Sequence, residues 1–249
     1  FFFHDTATTE IYTLSLHDAL PIYTVYTVDL LGCGRSDKSS ITYTNFVYVQ
    51  MISDFIKKII GQKTDVIASG FSGSFVTMAC HNEKELFNKI MLVNPPSLTQ
   101  LKQMPNRKDR LLKAALEIPI FGTLVYHMIV SRDNINNLFI EKMYYNPFHV
   151  DNQMADAYYE AAHKGGYYTR FLYSSLAAKY ININICHALK ALDNSIYIVE
   201  GETEPNGKAV TDDYCASNPA IEVSVLKETK HLPHVEAPEA FLEQVKIFF

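Results

Sequence analysis

Alternation of strand-like and helix-like segments predicts an α/β protein with a mostly parallel sheet and helices on both faces. Three observations carry this. Short β-branched or apolar runs at 23–30, 63–69, 89–94, 195–201 and 221–226 are separated by helical patterns, as βαβ units require. One of these runs ends in the tight, small-residue turn Gly70-Phe71-Ser72-Gly73-Ser74. A long stretch, 98–191, carries helical spacing throughout and no strand pattern, so it reads as an insert in the sheet-forming chain.

Tyr23 to Leu30 alternates and is rich in Val and Thr, hence a strand, and it runs into the Gly-rich loop Leu31-Gly32-Cys33-Gly34-Arg35-Ser36-Asp37. From Thr44 to Ile60 apolar residues recur at helical spacing and stop at Gly61, a C-terminal helix signal. Lys63 to Ser69 is the next strand, Gly73 to His81 begins a helix, and Lys89 to Asn94 is a strand closed by Pro95-Pro96. The insert holds helical patterns at 110–116, 121–130, 135–143, 154–163 and 168–179. Strand 195–201, a helix near 208–215, strand 221–226 and a helix from Pro238 to Phe249 follow.

The chain has 249 residues, 48% apolar and 20% charged, enough for one sizeable core. Net charge is −5 with no run of Lys or Arg, which argues against a nucleic-acid partner. Four scattered cysteines without a CxxC fit a reducing, cytoplasmic setting and support neither a disulfide framework nor a zinc site. The longest apolar stretch, 114–130, is interrupted by Glu117, Pro119, Gly122 and His127, so no membrane span is expected. Phe1-Phe2-Phe3 is followed by His4 and Asp5 rather than a basic start and a long apolar stretch, so no signal peptide is read.

A serine in a tight turn between strand and helix has the make-up of a nucleophile elbow. The turn is strained, so its flanking residues must be small, and the following helix N-terminus favours negative charge developing beside it. On this reading Ser72 is the nucleophile, and the N–H of Gly73 is an oxyanion donor. His231 follows the last strand and so emerges at the same carboxyl edge, as general base. Glu204 follows the preceding strand and would orient the imidazole, with Glu202 as its rival. His234 competes with His231 but reads as a polar rim residue. His231, His234 and Glu236 lack a compact ligand spacing, so no metal is expected.

From Tyr23 to Phe249 the chain resembles α/β-hydrolase-fold proteins with a helical cap, of the esterase, lipase and C–C hydrolase group. Asp29-Leu-Leu-Gly-Cys-Gly-Arg-Ser36 is similar to the family's D-x-x-G-x-G-x-S loop, and the Ser72 turn sits where the elbow belongs. Gly201-Glu-Thr-Glu204 is similar to its acid loop, and His231 to Glu239 to its H-x-x-x-x-E-x-P-E segment. The resemblance implies a Ser72–Glu204–His231 serine hydrolase acting on an ester or similar acyl bond of a small to medium apolar molecule, without cofactor. Phe71 stands where the family often has a polar residue, and Ser74 replaces the usual second Gly. Both departures favour the alternative, a non-catalytic α/β-hydrolase-fold protein that binds a ligand or partner.

Residues 1–22 differ in composition, with no Lys, Asn or Gly. Asp5 to Ile22 resembles the reading-frame translation of a short-read sequencing adapter. The expectation is therefore a non-native 1–22, a core formed by 23–97 and 192–249, and a cap at 98–191. With it goes a second expectation: the family's first strands, and the His-Gly loop that supplies a second oxyanion N–H, are missing from a truncated chain.

Overall fold

The computed structural model describes residues 2–4, 23–150 and 152–249. Among the described residues, six parallel strands form one sheet in the order β2-β1-β3-β4-β5-β6, with β1 Phe2–His4, β2 Thr27–Asp29, β3 Thr64–Ser69, β4 Phe87–Val93, β5 Ile196–Gly201 and β6 Glu222–Leu226. Parallel neighbours need crossovers, and helices supply them: α1 (Asn45–Phe55) precedes β3 and α2 (Ser72–Asn82) links β3 to β4. Between β4 and β5 lie α3 (Leu98–Leu101), α4 (Arg107–Glu117), α5 (Pro119–Ile129), α6 (Arg132–Leu138), α7 (Asn152–His163), α8 (Arg170–Ala177) and α9 (Cys186–Ala191). The chain closes with α10 (Gly207–Ser217) before β6, then α11 (Pro233–Glu236) and α12 (Pro238–Phe248).

The fold is the α/β-hydrolase fold, as expected, and the period of two in the strands explains its layers. Ile90 and Leu92 of β4 face one side with Val66, Ala68, Ile196 and Ile198, packing against α1, α2, α9 and α10. Met91 and Val93 face the other with Tyr197 and Val199, packing against Phe241 and Val245 of α12. Both faces are covered, which is why β4 and β5 read as continuous apolar runs rather than alternating ones. The helix expected to stop at Gly61 does so: α1 continues as one π turn, Ile56–Ile60, and Gly61 at φ 71° donates its N–H to the Ile56 carbonyl, 2.7 Å away.

The missing first strands are corrected in one place. Phe2–His4 pairs in parallel with both β2 and β3, Phe3 lying opposite Val28 and Ala68. Ladder pairing uses backbone N–H and C=O groups that almost any residue supplies, so residue identity over three positions is a poor guide to it. The adapter-like segment, residues 5–22, lies outside the described residues.

The helical run 98–191 contains no strand among its described residues, as the spacing predicts. It is tied to the core by side chains as well as by apolar packing. The Tyr43 N–H donates to Ser175 Oγ at 3.0 Å, and Asn45 Nδ2 donates to the Asn182 carbonyl at 2.5 Å.

The loops after β5 and β6 approach each other at Gly201, where a Cβ would overlap the Lys230 carbonyl oxygen. That obstacle is backbone and cannot rotate away. Gly201→Ala is expected to destabilise the fold by about 1–3 kcal/mol, read as a lower urea midpoint at unchanged m-value.

Candidate active site

Three strand ends build the site. β3 turns at Gly70, β5 leads to Glu204, and β6 leads to His231, all at the carboxyl edge where open α/β sheets hold ligands. Gly70, Phe71, Asn94, Glu200, Glu204 and His231 line one cavity of roughly 330 Å3.

His231 and Glu204 meet. The imidazole Nδ1 lies 3.1 and 3.2 Å from the two carboxylate oxygens. An ionised carboxylate only accepts, so Nδ1 carries the proton and Nε2 is the acceptor nitrogen of the neutral ring. Glu202, the rival, points elsewhere, with Oε2 accepting the Glu228 N–H at 2.9 Å. The pairing follows from the turn after β5: the Glu204 N–H donates to the Gly201 carbonyl, which folds the side chain back towards β6.

Ser72 does not occupy the strained turn. The residue with left-handed backbone is Gly70, at φ 57°, whereas Ser72 is the first residue of α2 and fully buried. Its Oγ donates to the Ser69 carbonyl at 2.5 Å. Ser74 Oγ and Thr77 Oγ1 likewise donate to the Phe71 and Gly73 carbonyls, each at 2.7 Å, a pattern of hydroxyls bonded back onto their own turn. Gly73 is also placed away from the expected role. Its N–H donates to the Gly70 carbonyl at 3.2 Å, inside the turn, so the oxyanion assignment to Gly73 is corrected. Counted from the strained residue, the N–H of the next position, Phe71, stands where an elbow presents its donor. The rule of small flanking residues is met around Gly70 as well, by Ala68 and Ser72.

His234 is a second correction. It is 1% exposed, beside the Phe241 ring at 5.8 Å, and not on a rim. Pro233 opens the short helix α11 and turns the next side chain inward. No group of three metal-binding side chains occurs among the described residues.

Two residues that the sequence did not single out shape the site. Asn94 sits just past β4 at φ 41° and clamps three segments. Its Oδ1 accepts the Gly201 N–H at 3.0 Å, and its Nδ2 donates to the carbonyls of Lys230 and His231 at 2.8 and 2.9 Å. An Asn closing a strand before Pro95-Pro96 is the sole sequence signal for it, since Asn tolerates left-handed backbone. Glu200, 6% exposed, lines the cavity wall beside Gly207, where a Cβ would overlap its carboxylate. Burial pushes its carboxyl above the ordinary glutamate range.

The His231 loop is also held from the helical side. Glu236 accepts the Lys230 N–H at 2.8 Å on Oε1 and the Tyr145 N–H at 2.6 Å on Oε2. Burial raises its carboxyl, and these backbone donors pull it back. The His231 N–H itself donates to the Met143 carbonyl at 3.1 Å.

The sequence matches the model of the alpha/beta hydrolase family over residues 2–244, and the chain belongs to that family. Solved structures of the same fold agree. A serine hydrolase involved in carbazole degradation superposes with TM-score 0.76 at 16% identity, over 99% of this chain and 88% of the other. A meta-cleavage product hydrolase from Pseudomonas fluorescens IP01 gives TM-score 0.76 at 16% identity, over 100% and 88%. A structure reported with carboxylesterases of the ammonia-oxidizing Thaumarchaeon Nitrososphaera gargenis gives 0.72 at 14% identity, over 99% and 88%. No curated protein sequence matches the chain.

Two measurements probe this geometry. Asn94→Ala removes three hydrogen bonds and is expected to cost about 2–4 kcal/mol, seen as a lower thermal midpoint. Glu200 holds its proton longer in the fold than in the unfolded chain, so its ionisation lowers stability as pH rises from the ordinary value near 4.5 through the raised folded value. Glu200→Gln is therefore expected to be more stable than the parent at neutral pH. The gap closes below the ordinary value, and thermal midpoints across that range check it.

Proposed function

We propose that this chain holds a small, partly apolar molecule non-covalently against the His231–Glu204 pair and forms no acyl-serine. One observation carries the reading: the strained residue between β3 and α2 is Gly70, which has no side chain. An elbow exposes its hydroxyl because the nucleophile itself occupies that turn. Two residues further on, Ser72 lies in regular helix with its Oγ turned towards the Ser69 carbonyl. The retained imidazole, oriented by Glu204, can accept a hydrogen bond or a proton from the bound molecule at Nε2.

In this reading residues 98–191 are a cap over a core of 23–97 and 192–249. Between them lies a second cavity of roughly 200 Å3, walled by apolar groups including Tyr126, Ile135, Leu138, Leu172 and Leu176 and suited to an apolar part of a ligand. All four cysteines are free thiols, which fits a cytoplasmic setting.

Family membership and the intact His–Glu pair support a second reading, a serine hydrolase cleaving an ester or related acyl bond through Ser72, His231 and Glu204. A fluorophosphonate probe separates the two. On the first reading the parent and Ser72→Ala are both unlabelled. Gly70→Ser, at a backbone cost of roughly 1–2 kcal/mol, gains labelling and slow hydrolysis of a p-nitrophenyl ester. Labelling of the parent that disappears in Ser72→Ala establishes the second reading and removes the first.

A further inference from the structure

The helical pair α4–α5 presents apolar side chains outward. Leu111 is 72% exposed, Ile120 86%, Leu124 60% and Met128 64%, with Ile118 and Phe121 about half exposed. Positions 120, 121, 124 and 128 fall on one stripe of α5, so the exposure is a continuous face rather than scattered single residues. No single helix among the described residues is long and apolar enough to cross a membrane, and α4 and α5 are bent by 96° at their junction. The bend is fixed by close packing, since a Cβ at Gly122 would overlap the Leu116 carbonyl oxygen. An apolar face of this shape, bent and formed by two short helices, is suited to lie along an interface.

Charge selects the partner. Arg107, Lys108 and Arg110 on α4 are exposed. The two carboxylates on these helices are both engaged: Asp109 pairs with Lys179 at 3.1 Å, and Glu117 with Lys113 at 2.5 Å. The ledge is thus cationic and apolar on a chain whose net charge is −5. A second copy seated on the same face would offer these three cations no unengaged carboxylate from α4 or α5 to pair with. An anionic lipid surface accepts both features at once: apolar side chains enter the headgroup boundary, and Lys and Arg stems snorkel to the phosphates.

We propose that the α4–α5 ledge is a peripheral docking surface for anionic membranes. This stands independently of which chemistry the cavity performs.

The test is co-sedimentation of the full chain with vesicles of equimolar phosphatidylcholine and phosphatidylserine, against phosphatidylcholine alone, with sedimentation velocity on the free protein. The parent is expected to bind the anionic vesicles, more weakly as salt rises, and to be monomeric in solution. Ile120→Asp with Phe121→Asp, at positions already exposed to water, should weaken binding at least about tenfold with an unchanged circular dichroism spectrum. Arg107→Glu with Lys108→Glu and Arg110→Glu should weaken it by about 100-fold or more on anionic vesicles. Absence of parent binding to the anionic vesicles overturns the proposal. So does equal binding by the aspartate variant, or a parent dimer that the aspartate substitutions convert to monomer, which would make the ledge a contact between copies.

Discussion

The site depends on Asn94. Three strand ends that are far apart in sequence converge at the carboxyl edge of the sheet, and each must be fixed to within a fraction of an ångström for His231 to meet Glu204. A parallel ladder positions the strands but stops at their last paired residues, β4 at Val93 and β5 at Gly201. Beyond that line Glu202 and Thr203 join the loops after β5 and β6, and Asn94 ties both to the end of β4: it accepts from the Gly201 N–H and donates to the carbonyls of Lys230 and His231. Its left-handed backbone is the strained element that lets a strand end and a clamp occupy the same position. Close approach of the two loops then forbids a side chain at Gly201.

The same edge explains why the turn after β3 matters more than the serine within it. A serine hydroxyl faces His231 from this turn when its own Cα sits at the reversal; Phe71 still lines the cavity, but from Ser72 onward the side chains follow the helix surface. Gly70 makes the reversal. Ser72, Ser74 and Thr77 obey the helix instead, with hydroxyls bonded to carbonyls three or four residues back. A shift of two residues along the chain therefore separates a hydroxyl that caps its own turn from one that would face His231.

Much of this was legible in the chain and some was not, for physical reasons. The strands β4 and β5 were plain because burial on both faces demands apolar runs, β3 because Val66 to Ala68 lead straight into a glycine turn, and α1 because Gly61 ends it. The Glu204–His231 meeting was legible from order alone, since residues that follow adjacent parallel strands must share an edge. The position of the elbow was not. Small residues flank Gly70 as well as Ser72, so the sequence allows either register, and the left-handed φ that decides between them is not written in residue size. β1 escaped because backbone pairing leaves little mark on three residues, and Asn94 because its role is made of contacts across more than a hundred positions. His234 was misplaced because the Pro233 helix start, not polarity, sets its direction.

The His231 loop is gripped from both sides, and this limits how a ligand can enter. Asn94 holds its carbonyl side, while the helical run holds its N–H side through the Met143 carbonyl and through Glu236, which bridges the Lys230 and Tyr145 amides. Displacing the helical run from this loop breaks three hydrogen bonds: His231 N–H to the Met143 carbonyl, Tyr145 N–H to Glu236, and Lys230 Nζ to the Glu141 carbonyl. At about 1 kcal/mol each, the opened form is populated at no more than about 1%. Entry that needs this seam to part is therefore disfavoured; the wall of Pro95 to Gln100 and Asn206 to Thr211 is held separately, by the Tyr214 hydroxyl on the Pro96 carbonyl at 3.0 Å and by Asn182 on the Gln100 carbonyl at 2.8 Å. That wall is built from the residues just after β4 and the start of α10, and neither the Met143 bond nor the Glu236 bridge has to break for it to move. Glu200 lines the same cavity as His231, so the buried carboxyl is part of the wall that any molecule held there meets.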